Sequence, residues 1–541
     1  MNKRAFFSVL ITLLAFPLLL EAAAVSVTTL RTEQMVNPMG LDTATPRMSW
    51  QLESSQQNVM QTAYHILVAS SPELLAQAKG DLWDSGKVSS DDSQWITYQG
   101  KPLKSNQRAY WKVKSYTTRG ETERSSPAHW SIGLLKEAHW QGRWIGMDKA
   151  APWDSETTWS RLSSRYLRKE FALKKQVKQA TVHIAGMGMY ELFINGRRVG
   201  DQVLVPAPTD YRKTIIYNTF DVTPLLSSQN AIGVTLGNGR FYTMRQHYKP
   251  YKIPNFGYPK LRLNLIVEYT DGTRETISSD TNWKLTADGP IRSNNEYDGE
   301  EYDARKELTG WTTPGYDDRN WTNAERVSIP TGTLRGAMAP NMKVLQTIAP
   351  LTINKVGDKY IMDIGQNMVG WVRMKVRGAA GDTIRLRFAE LLQPSGELYV
   401  RNLRDARVTD TYICNGRENG AEWAPRFVYH GFRYVEVTGC KNPKLSDFTG
   451  EVVSDEMEIL GDFSCSNDML NRIYKNAYWG ILGNYKGLPV DCPQRNERQP
   501  WLDDRAMGHG ARVIYSRTAL SMPSGRAIFT KPSAKMAVFP M

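Results

Sequence analysis

The stretch L-P-V-D-C-P-Q-R-N-E-R-Q-P-W-L-D-D-R, residues 488–505, concentrates ionisable groups in a short segment. From Asp491 to Arg505, 15 residues hold four carboxylates, three guanidiniums and one Trp. Pro500 cannot continue a regular helix, so the segment is predicted to be an irregular loop. Such loops are most often solvated and held by salt bridges. The alternative is a polyol site, because carboxylates and guanidiniums bind hydroxyl groups and Trp stacks on a sugar ring.

A helical pattern precedes this loop. Apolar residues recur at steps of three and four after Ser466, namely Met469, Leu470, Ile473, Tyr474, Ala477, Tyr478, Ile481 and Leu482. Ser466, Asn467 and Asp468 are all suitable helix caps, and Gly487 and Pro489 end the pattern. The sequence therefore predicts one helix that leads directly into the charged loop.

Upstream of the helix, the chain has the pattern of β structure from Val25 to about Leu460. Short alternating runs are separated by turn residues, as at 63–68, 109–113, 383–388 and 434–437. We predict a multidomain protein of all-β sandwich and jelly-roll domains followed by a helical region. The expected segments are a small sandwich at 25–136, a larger sandwich or jelly roll at 137–340, a third β-sandwich at 341–460 and the helical region at 461–508.

The first 24 residues have the pattern of a signal peptide. Lys3 and Arg4 precede a mostly apolar stretch of 16 residues, and Ala22-Ala23-Ala24 suits cleavage. The alternative is a membrane anchor, for which the stretch is short. We therefore expect an exported protein, periplasmic or extracellular, with no membrane span in the mature chain.

The net charge of +13 first suggests nucleic acid or an anionic surface as the partner. Export argues against nucleic acid, and no basic stripe supports it. The predicted signal peptide carries +1 and the final 33 residues carry +5, so nearly half of the charge lies outside residues 25–508. We expect no nucleic-acid partner.

The four cysteines are Cys414, Cys440, Cys465 and Cys492. They form no C-x-x-C pair, and the seven histidines form no H-E-x-x-H cluster, so neither a metal nor a cofactor is predicted. Free buried thiols are the expected state, with disulfides as the alternative.

The charged loop is similar to the active-site signature of bacterial α-L-rhamnosidases, D-C-P-Q-R-x-E-R-x-x-W-x-x-D. Other strings of this chain resemble the same family in the same order, at residues 35–42, 46–50, 190–201, 209–223, 363–371 and 429–437. The chain departs from the pattern at Asn496, where Asp is frequent, and at Gln499-Pro500, where Leu-Gly is frequent.

The resemblance implies a fold and a reaction. It implies a fibronectin-like first domain, a jelly roll that could bind carbohydrate, a further sandwich and the beginning of an (α/α)6 barrel. It implies hydrolysis of terminal α-L-rhamnosyl residues with inversion, on a rhamnose-containing glycan or glycoside. The alternative is a non-catalytic carbohydrate-binding protein built from the three β domains.

Residue by residue, the resemblance assigns roles in the loop. Glu497 matches the general acid. Asp491 and Asp504 match acidic groups that bind rhamnose hydroxyls. Arg495 matches a cation that contacts the sugar or orients the acid, and Trp501 matches an aromatic wall.

Two further candidates lie outside the loop. His430, in the string Y-H-G-F-R-Y, faces the sugar or satisfies a hydrogen bond of a sheet. The acidic run at 297–303 lacks an EF-hand spacing, so a solvated loop is expected there, with calcium binding as the alternative.

The end of the sequence carries a further prediction. The family's general base lies well downstream of the signature, and only 37 residues follow Asp504, so we expect no general base and little or no activity in these 541 residues. Residues 509–541 contain five Lys+Arg and no Asp or Glu, and they lose the helical pattern. We hypothesise a frameshift between about His509 and Ser521.

Overall fold

The computed structural model describes residues 25–156, 161–242, 256–417 and 420–501. The predicted signal peptide, Asp504 and the predicted out-of-frame tail lie outside these ranges. The described chain is mostly β, as the sequence predicted. None of its helices combines the length and the apolar character that crossing a membrane requires.

The chain divides into two compact units. The first comprises Met1–Asn37, Thr45–Lys101 and Arg108–His129, and the second comprises Pro38–Ala44, Pro102–Gln107 and Trp130–Met541. The described elements that begin in the first unit are β1 Ser26–Thr32, β2 Arg47–Glu53, β3 Gln61–Ala69, α1 Pro72–Ala76, β4 Trp83–Asp84, β5 Val88–Ser89, β6 Ile96–Thr97, β7 Arg108–Thr117, β8 Gly120–Glu121 and β9 Ala128–Ser131.

The first unit is a β-sandwich with aromatic residues in its core. One sheet has the order β1-β2-β6 and the other has the order β4-β3-β7-β8. Buried and half-buried residues alternate along β7, which places Trp111 in the interior. Trp50 is also buried, and its indole Nε1 donates to Gln61 Oε1 and Ser115 Oγ, both at 3.1 Å. These two hydrogen bonds satisfy the one polar atom of a large apolar side chain.

The second unit begins with two sheets that pack face to face. The strands that follow, up to residue 336, are β10 Ile145–Gly146, β11 Arg165–Ala172, β12 Val177–Met187, β13 Met189–Ile194, β14 Arg197–Arg198, β15 Thr214–Asp221, β16 Gln229–Gly237, β17 Lys260–Tyr269, β18 Arg274–Ser278, β19 Lys284–Thr286, β20 Ile291–Asn295, β21 Gly299–Asp303, β22 Thr322–Asn323, β23 Glu325–Arg326 and β24 Thr333–Gly336. The sheet orders are β23-β10-β17-β12-β15-β24 and β14-β13-β16-β11-β19-β22. Residues such as Ile184, Val234 and Leu263 form their shared core.

A ten-stranded sheet completes the β structure of the second unit. Its order is β20-β21-β31-β28-β33-β27-β34-β25, with β26 and β32 beside β27. The strands after residue 340 are β25 Met342–Ile348, β26 Thr352–Val356, β27 Lys359–Val376, β28 Thr383–Ala389, β29 Leu391–Leu392, β30 Leu398–Tyr399, β31 Thr409–Ile413, β32 Ala421–Trp423, β33 His430–Thr438 and β34 Phe448–Asp455. The hairpin β20–β21 lies in the segment predicted as the larger sandwich, yet it joins this sheet through β31.

The acidic run at 297–303 is not the solvated loop that the sequence predicted. Residues 299–303 form β21, which pairs in parallel with β31. Tyr297, Glu300 and Asp303 are all buried. The prediction was wrong because the pairing with β31, more than 100 residues along the chain, removes the run from water.

The predicted helix is present as α2, Asp468–Asn484. Asn467 is its cap, since its side chain accepts from the backbone N–H of Met469 at 3.0 Å and of Leu470 at 3.2 Å. The C-terminal part of the helix packs against β27 and β34, where Leu482 is buried. In the first turns, Met469, Leu470 and Ile473 are exposed.

The four cysteines form no disulfide, as expected. Cys414 and Cys492 are buried and Cys440 is half-buried. Cys465 is exposed just before α2, so the expectation of burial was wrong for this thiol.

Candidate active site

The charged segment after α2 is an irregular loop, as Pro500 predicted. We call residues 491–501 the acid loop. Two hydrogen bonds close it, because the backbone N–H of Asp491 donates to Gln499 O at 2.9 Å and the backbone N–H of Gln499 donates to Asp491 Oδ1 at 2.6 Å. Residues 496–499 are buried, which excludes the expectation of a fully solvated loop.

Arg498 anchors the acid loop to the ten-stranded sheet. Its side chain is fully buried, and its Nη1 donates to Tyr429 O at 3.0 Å. Its guanidinium carbon lies 4.5 Å from the ring centroid of Tyr429, a cation–π contact. A glycine at 431 permits the close approach of the loop, since a Cβ there would lie 2.9 Å from Pro493 Cγ. The loop therefore rests directly on the start of β33.

Glu497 lies at the centre of the acid loop and is 5% exposed. Its Oε2 accepts from Arg495 Nε at 2.9 Å and lies 2.8 Å from Arg495 Nη2 and 3.0 Å from Arg404 Nη1. Its Oε1 accepts from Trp501 Nε1 at 3.2 Å. Both guanidiniums thus bind one carboxylate oxygen, and the indole faces the other.

Sequence reasoning missed the residues that hold Glu497 from other parts of the chain. Arg404 approaches from the segment between β30 and β31, where its own backbone is left-handed with φ +59°. The adjacent Asp405 accepts from Asn496 Nδ2. Tyr297 donates its hydroxyl to Glu497 O at 3.3 Å from 200 residues away. No spacing rule joins such distant residues, so one sequence contained no signal for them.

Arg240 is another distant contributor. It is buried near the end of β16, and its Nη2 donates to the backbone carbonyl of Arg498. Its Nε contacts Glu296 Oε2 at 3.2 Å, so its charge is paired. The acid loop is therefore held by residues of both β regions of the second unit.

Asp491 and Cys492 lie beside Glu497, and a ligand atom of each of the three lies within 4.8 Å of the others. Burial raises the pKa of Asp491, and burial together with the neighbouring Asp491 raises the pKa of the Cys492 thiol to about 12. The thiol is therefore protonated at neutral pH. A protonated thiol, and two guanidiniums on Glu497, do not favour a metal ion at this place.

Of the six predicted site residues, four converge on the acid loop: Asp491, Arg495, Glu497 and Trp501. Asp504 lies outside the described residues. His430 lies inside the sheet, fully buried, with its Nε2 3.0 Å from Asp410 Oδ1 and its ring stacked on Phe388 at 4.2 Å. These contacts favour a sheet role for His430 over contact with a sugar.

Four family descriptions match the chain, and they follow one another along it. They are an N-terminal immunoglobulin domain of the Rha78A type at 27–136, an α-L-rhamnosidase N-terminal domain at 175–346, a bacterial α-L-rhamnosidase concanavalin-like domain at 354–454 and a bacterial α-L-rhamnosidase six-hairpin glycosidase domain at 458–520. The acid loop lies in the last of these ranges.

Whole proteins of the same type are also similar. An α-L-rhamnosidase of Formosa agariphila is 38% identical over 487 residues, which cover 87% of this chain and 51% of that protein. The α-L-rhamnosidase structure from Dictyoglumus thermophilum has a TM-score of 0.87 at 38% identity, covering 93% of this chain and 57% of that one. The Streptomyces avermitilis α-L-rhamnosidase structure, complexed with L-rhamnose, has a TM-score of 0.86 at 28% identity, covering 93% of this chain and 64% of that one.

This chain thus spans about half the length of the curated relatives it matches. The resemblance that the motifs indicated is confirmed over the immunoglobulin-like, N-terminal, concanavalin-like and glycosidase segments together. The chain belongs to the family of bacterial α-L-rhamnosidases.

Proposed function

We propose that this protein hydrolyses terminal α-L-rhamnosyl residues of glycans or glycosides with inversion, and that Glu497 is the general acid. The observation that carries the proposal is the asymmetry of the Glu497 carboxyl group. Arg495 and Arg404 both bind Oε2, whereas Oε1 faces Trp501 Nε1 among the described residues. Oε1 is therefore the oxygen suited to carry a proton to the leaving group.

The neighbouring side chains suit a rhamnosyl ring. Trp501 offers an apolar wall with one donor, and an indole N–H cannot take a proton from the acid. For proton transfer, the glycosidic oxygen replaces Trp501 Nε1 at Oε1, while the two cations keep the carboxyl group in place. Asp491 and Arg495 are proposed to bind sugar hydroxyls, as is Asp504 beyond the described residues.

Asp491 does not suit the role of the general base. An inverting glycosidase leaves room for a water between its two carboxyl groups, which are about 6.5–9.5 Å apart. The ligand oxygens of Asp491 and Glu497 lie within 4.8 Å of each other. We therefore propose that the base that activates water is not part of the acid loop.

The domain division predicted from the sequence remains our proposal. It comprises the sandwich at 25–136, the jelly roll at 137–340, the sandwich at 341–460 and the start of an (α/α)6 barrel at 461–508. Helix α2 and the match to a six-hairpin glycosidase domain support the last of these. We also propose that residues 1–24 direct export to the periplasm or the exterior.

Hydrolysis of an aryl α-L-rhamnoside by the purified chain tests the proposal and, separately, the expectation of little or no activity that was drawn from the sequence. Glu497→Gln should lower kcat by about 10²–10⁴-fold, the usual contribution of a general acid. Glu325→Gln is the control, since Glu325 is an exposed strand residue in a surface ion pair. Nuclear magnetic resonance should detect β-L-rhamnose as the first product.

Two outcomes contradict the proposal. Unchanged turnover by Glu497→Gln excludes this residue as the acid. Binding of L-rhamnose with no turnover, equal in the wild type and in Glu497→Gln, favours the alternative of a non-catalytic carbohydrate-binding protein.

A further inference from the structure

A polar cavity of about 430 Å³ lies on the ten-stranded sheet of the second unit. Its floor is the face formed by β21, β31, β28 and β33, and residues of the segments before β21 and β31 form its wall. We call it the arginine cavity, after Arg385, Arg387, Arg407 and Arg161 in its lining. Its volume lies within the range of about 300–1,000 Å³ that is common for small-ligand sites.

The register of the strands places two of these arginines side by side. Arg385 lies opposite Thr411 of β31 and Thr438 of β33, and Arg387 lies opposite Thr409 and Glu436. The two arginines are two residues apart on β28, so they share a face of the sheet at a spacing of about 7 Å. The residue between them, Leu386, is buried on the opposite face.

The carboxylates around the cavity are already engaged. Glu301 accepts from Arg161 Nε at 3.1 Å, and Glu436 lies 2.8 Å from Lys359 Nζ. Asp298 accepts from the backbone N–H of Arg407 at 3.2 Å. None of them pairs with the two arginines of β28.

Glu300 adds little negative charge at neutral pH. It is 1% exposed and accepts from the backbone N–H groups of Arg426 and Phe427 at 3.1 Å. Burial raises its pKa to about 8, and the nearby Asp410 acts in the same direction. The group is therefore mostly neutral at pH 7.

Arg385 and Arg387 make no ion pair and no side-chain hydrogen bond within the part of the chain that the structure describes. Two unpaired guanidiniums thus face a cavity whose carboxylates are paired or neutral. A guanidinium fork binds a carboxylate or a sulfate through two parallel hydrogen bonds. Thr411 and Thr438 add hydroxyl groups that can donate to and accept from sugar hydroxyls, whereas the Thr409 hydroxyl donates to Arg407 O at 2.8 Å and can only accept.

The cavity lies close to the acid loop along two chain segments. Tyr297 donates to the backbone of Glu497, and the next residue, Asp298, lines the cavity. Arg404 contacts Glu497, and Arg407 lines the cavity. Three residues of chain span at most about 11 Å. Two short chain segments therefore connect the contacts of Glu497 with the lining of the cavity.

We propose that the arginine cavity binds the anionic group, a carboxylate or a sulfate ester, of an acidic saccharide. Recognition of the anion follows from the free guanidiniums alone. The identification of the ligand as a saccharide rests on the proposed function and on the threonine hydroxyls. The site is separate from the residues proposed to bind rhamnose.

Calorimetric titration of the purified full chain tests the proposal without any turnover. The probes are D-glucuronate, D-glucose 6-sulfate and inorganic sulfate, with D-glucose as the neutral sugar. At least one acidic sugar should bind more tightly than D-glucose, and this binding should weaken at high salt. The sugar that binds identifies the anion as a carboxylate or a sulfate.

The variant Arg385→Gln/Arg387→Gln should bind that sugar at least about tenfold more weakly. Arg197→Gln/Arg326→Gln removes the same charge from exposed positions on β14 and β23 and should leave the affinity unchanged. Arg385→Lys/Arg387→Lys keeps the charge without the planar fork and should give an intermediate loss. Near-ultraviolet circular dichroism checks that each variant is folded.

Three outcomes would overturn the proposal: equal affinity of the wild type and the Gln double variant, equal affinity for D-glucose and both acidic sugars, or binding of inorganic sulfate with neither acidic sugar. Failure of rhamnoside hydrolysis leaves these titrations readable, so the two proposals fail separately.

Discussion

The acid loop and the arginine cavity are built from the same residue types but use them differently. In the acid loop, Arg495 binds the carboxylate of Glu497, and the fully buried Arg498 donates to backbone carbonyls. In the cavity, Arg385 is exposed and has no such partner among the described residues. A buried charge without hydrogen bonds costs several kcal/mol, whereas water satisfies an exposed one. The paired arginines of the acid loop therefore hold its conformation, whereas the unpaired arginine of the cavity is available to a ligand.

Replacement of one arginine in each region should give the largest difference between the two regions in the free energy of unfolding. Arg498→Met removes two hydrogen bonds from a charged donor and a cation–π contact, so we expect a loss of about 4 kcal/mol in the free energy of unfolding. Arg385→Met should change that free energy by less than about 0.5 kcal/mol, since its side chain is exposed. Urea unfolding measures both, and equal effects would remove the distinction between the regions.

The carboxyl group of Glu300, beside the cavity, should make the free energy of unfolding depend on pH. Unlike Glu497, Glu300 lies in no ion pair among the described residues, and burial raises its pKa to about 8 from 4.5. Between pH 4.5 and pH 8, Glu300 keeps its proton in the folded state and has lost it in the unfolded state. The contribution of Glu300 to stability therefore falls as pH rises from about 5 to 8, by roughly 3 kcal/mol.

Glu300→Gln isolates this contribution. The variant and the wild type should have similar unfolding free energies at pH 5, and the variant should be the more stable at pH 8. Subtracting one curve of unfolding free energy against pH from the other removes the contributions of groups that both proteins share. His183, whose pKa burial lowers to about 3, is one such group. A difference that is constant from pH 5 to pH 8 would show that Glu300 is ionised in the folded protein.

Local patterns predicted the elements that depend on neighbouring residues. The three- and four-residue spacing after Ser466 predicted a helix, and α2 begins at Asp468. The alternation at 383–388 predicted a strand, and β28 covers Thr383–Ala389. The ring of Pro500 correctly indicated an irregular loop. In each case, the deciding interaction lies within a few residues along the chain.

Contacts between distant segments could not be predicted in this way. Arg404 and Tyr297 reach Glu497 because β21 and β31 pair in parallel and bring their preceding segments together. The same pairing buries the acidic run that looked solvated. The arginines of β28 were visible in the sequence, but their free state follows from what Glu301 and Glu436 bind instead.

The departure from the family pattern at position 496 provides the smallest and most local test of the comparison. Asn496 donates through Nδ2 to Asp405 Oδ1, so an Asp at 496 would place two carboxylates in contact. We expect Asn496→Asp to cost about 1–2 kcal/mol in the free energy of unfolding at neutral pH. Adding Asp405→Asn restores a donor and an acceptor with their direction reversed, so it should recover most of the loss.

A double-mutant cycle makes this prediction specific to the acid loop. The coupling between positions 496 and 405 should be about 1 kcal/mol or more, because the two side chains share one hydrogen bond. Arg385→Gln with Thr411→Ala provides the matching cycle in the cavity, where the residues are opposite each other in register and share no hydrogen bond. Its coupling should be close to zero. Coupling of similar size in both cycles would mean that the cavity arginines are as firmly held as the acid loop, and hence are not free to bind an anion.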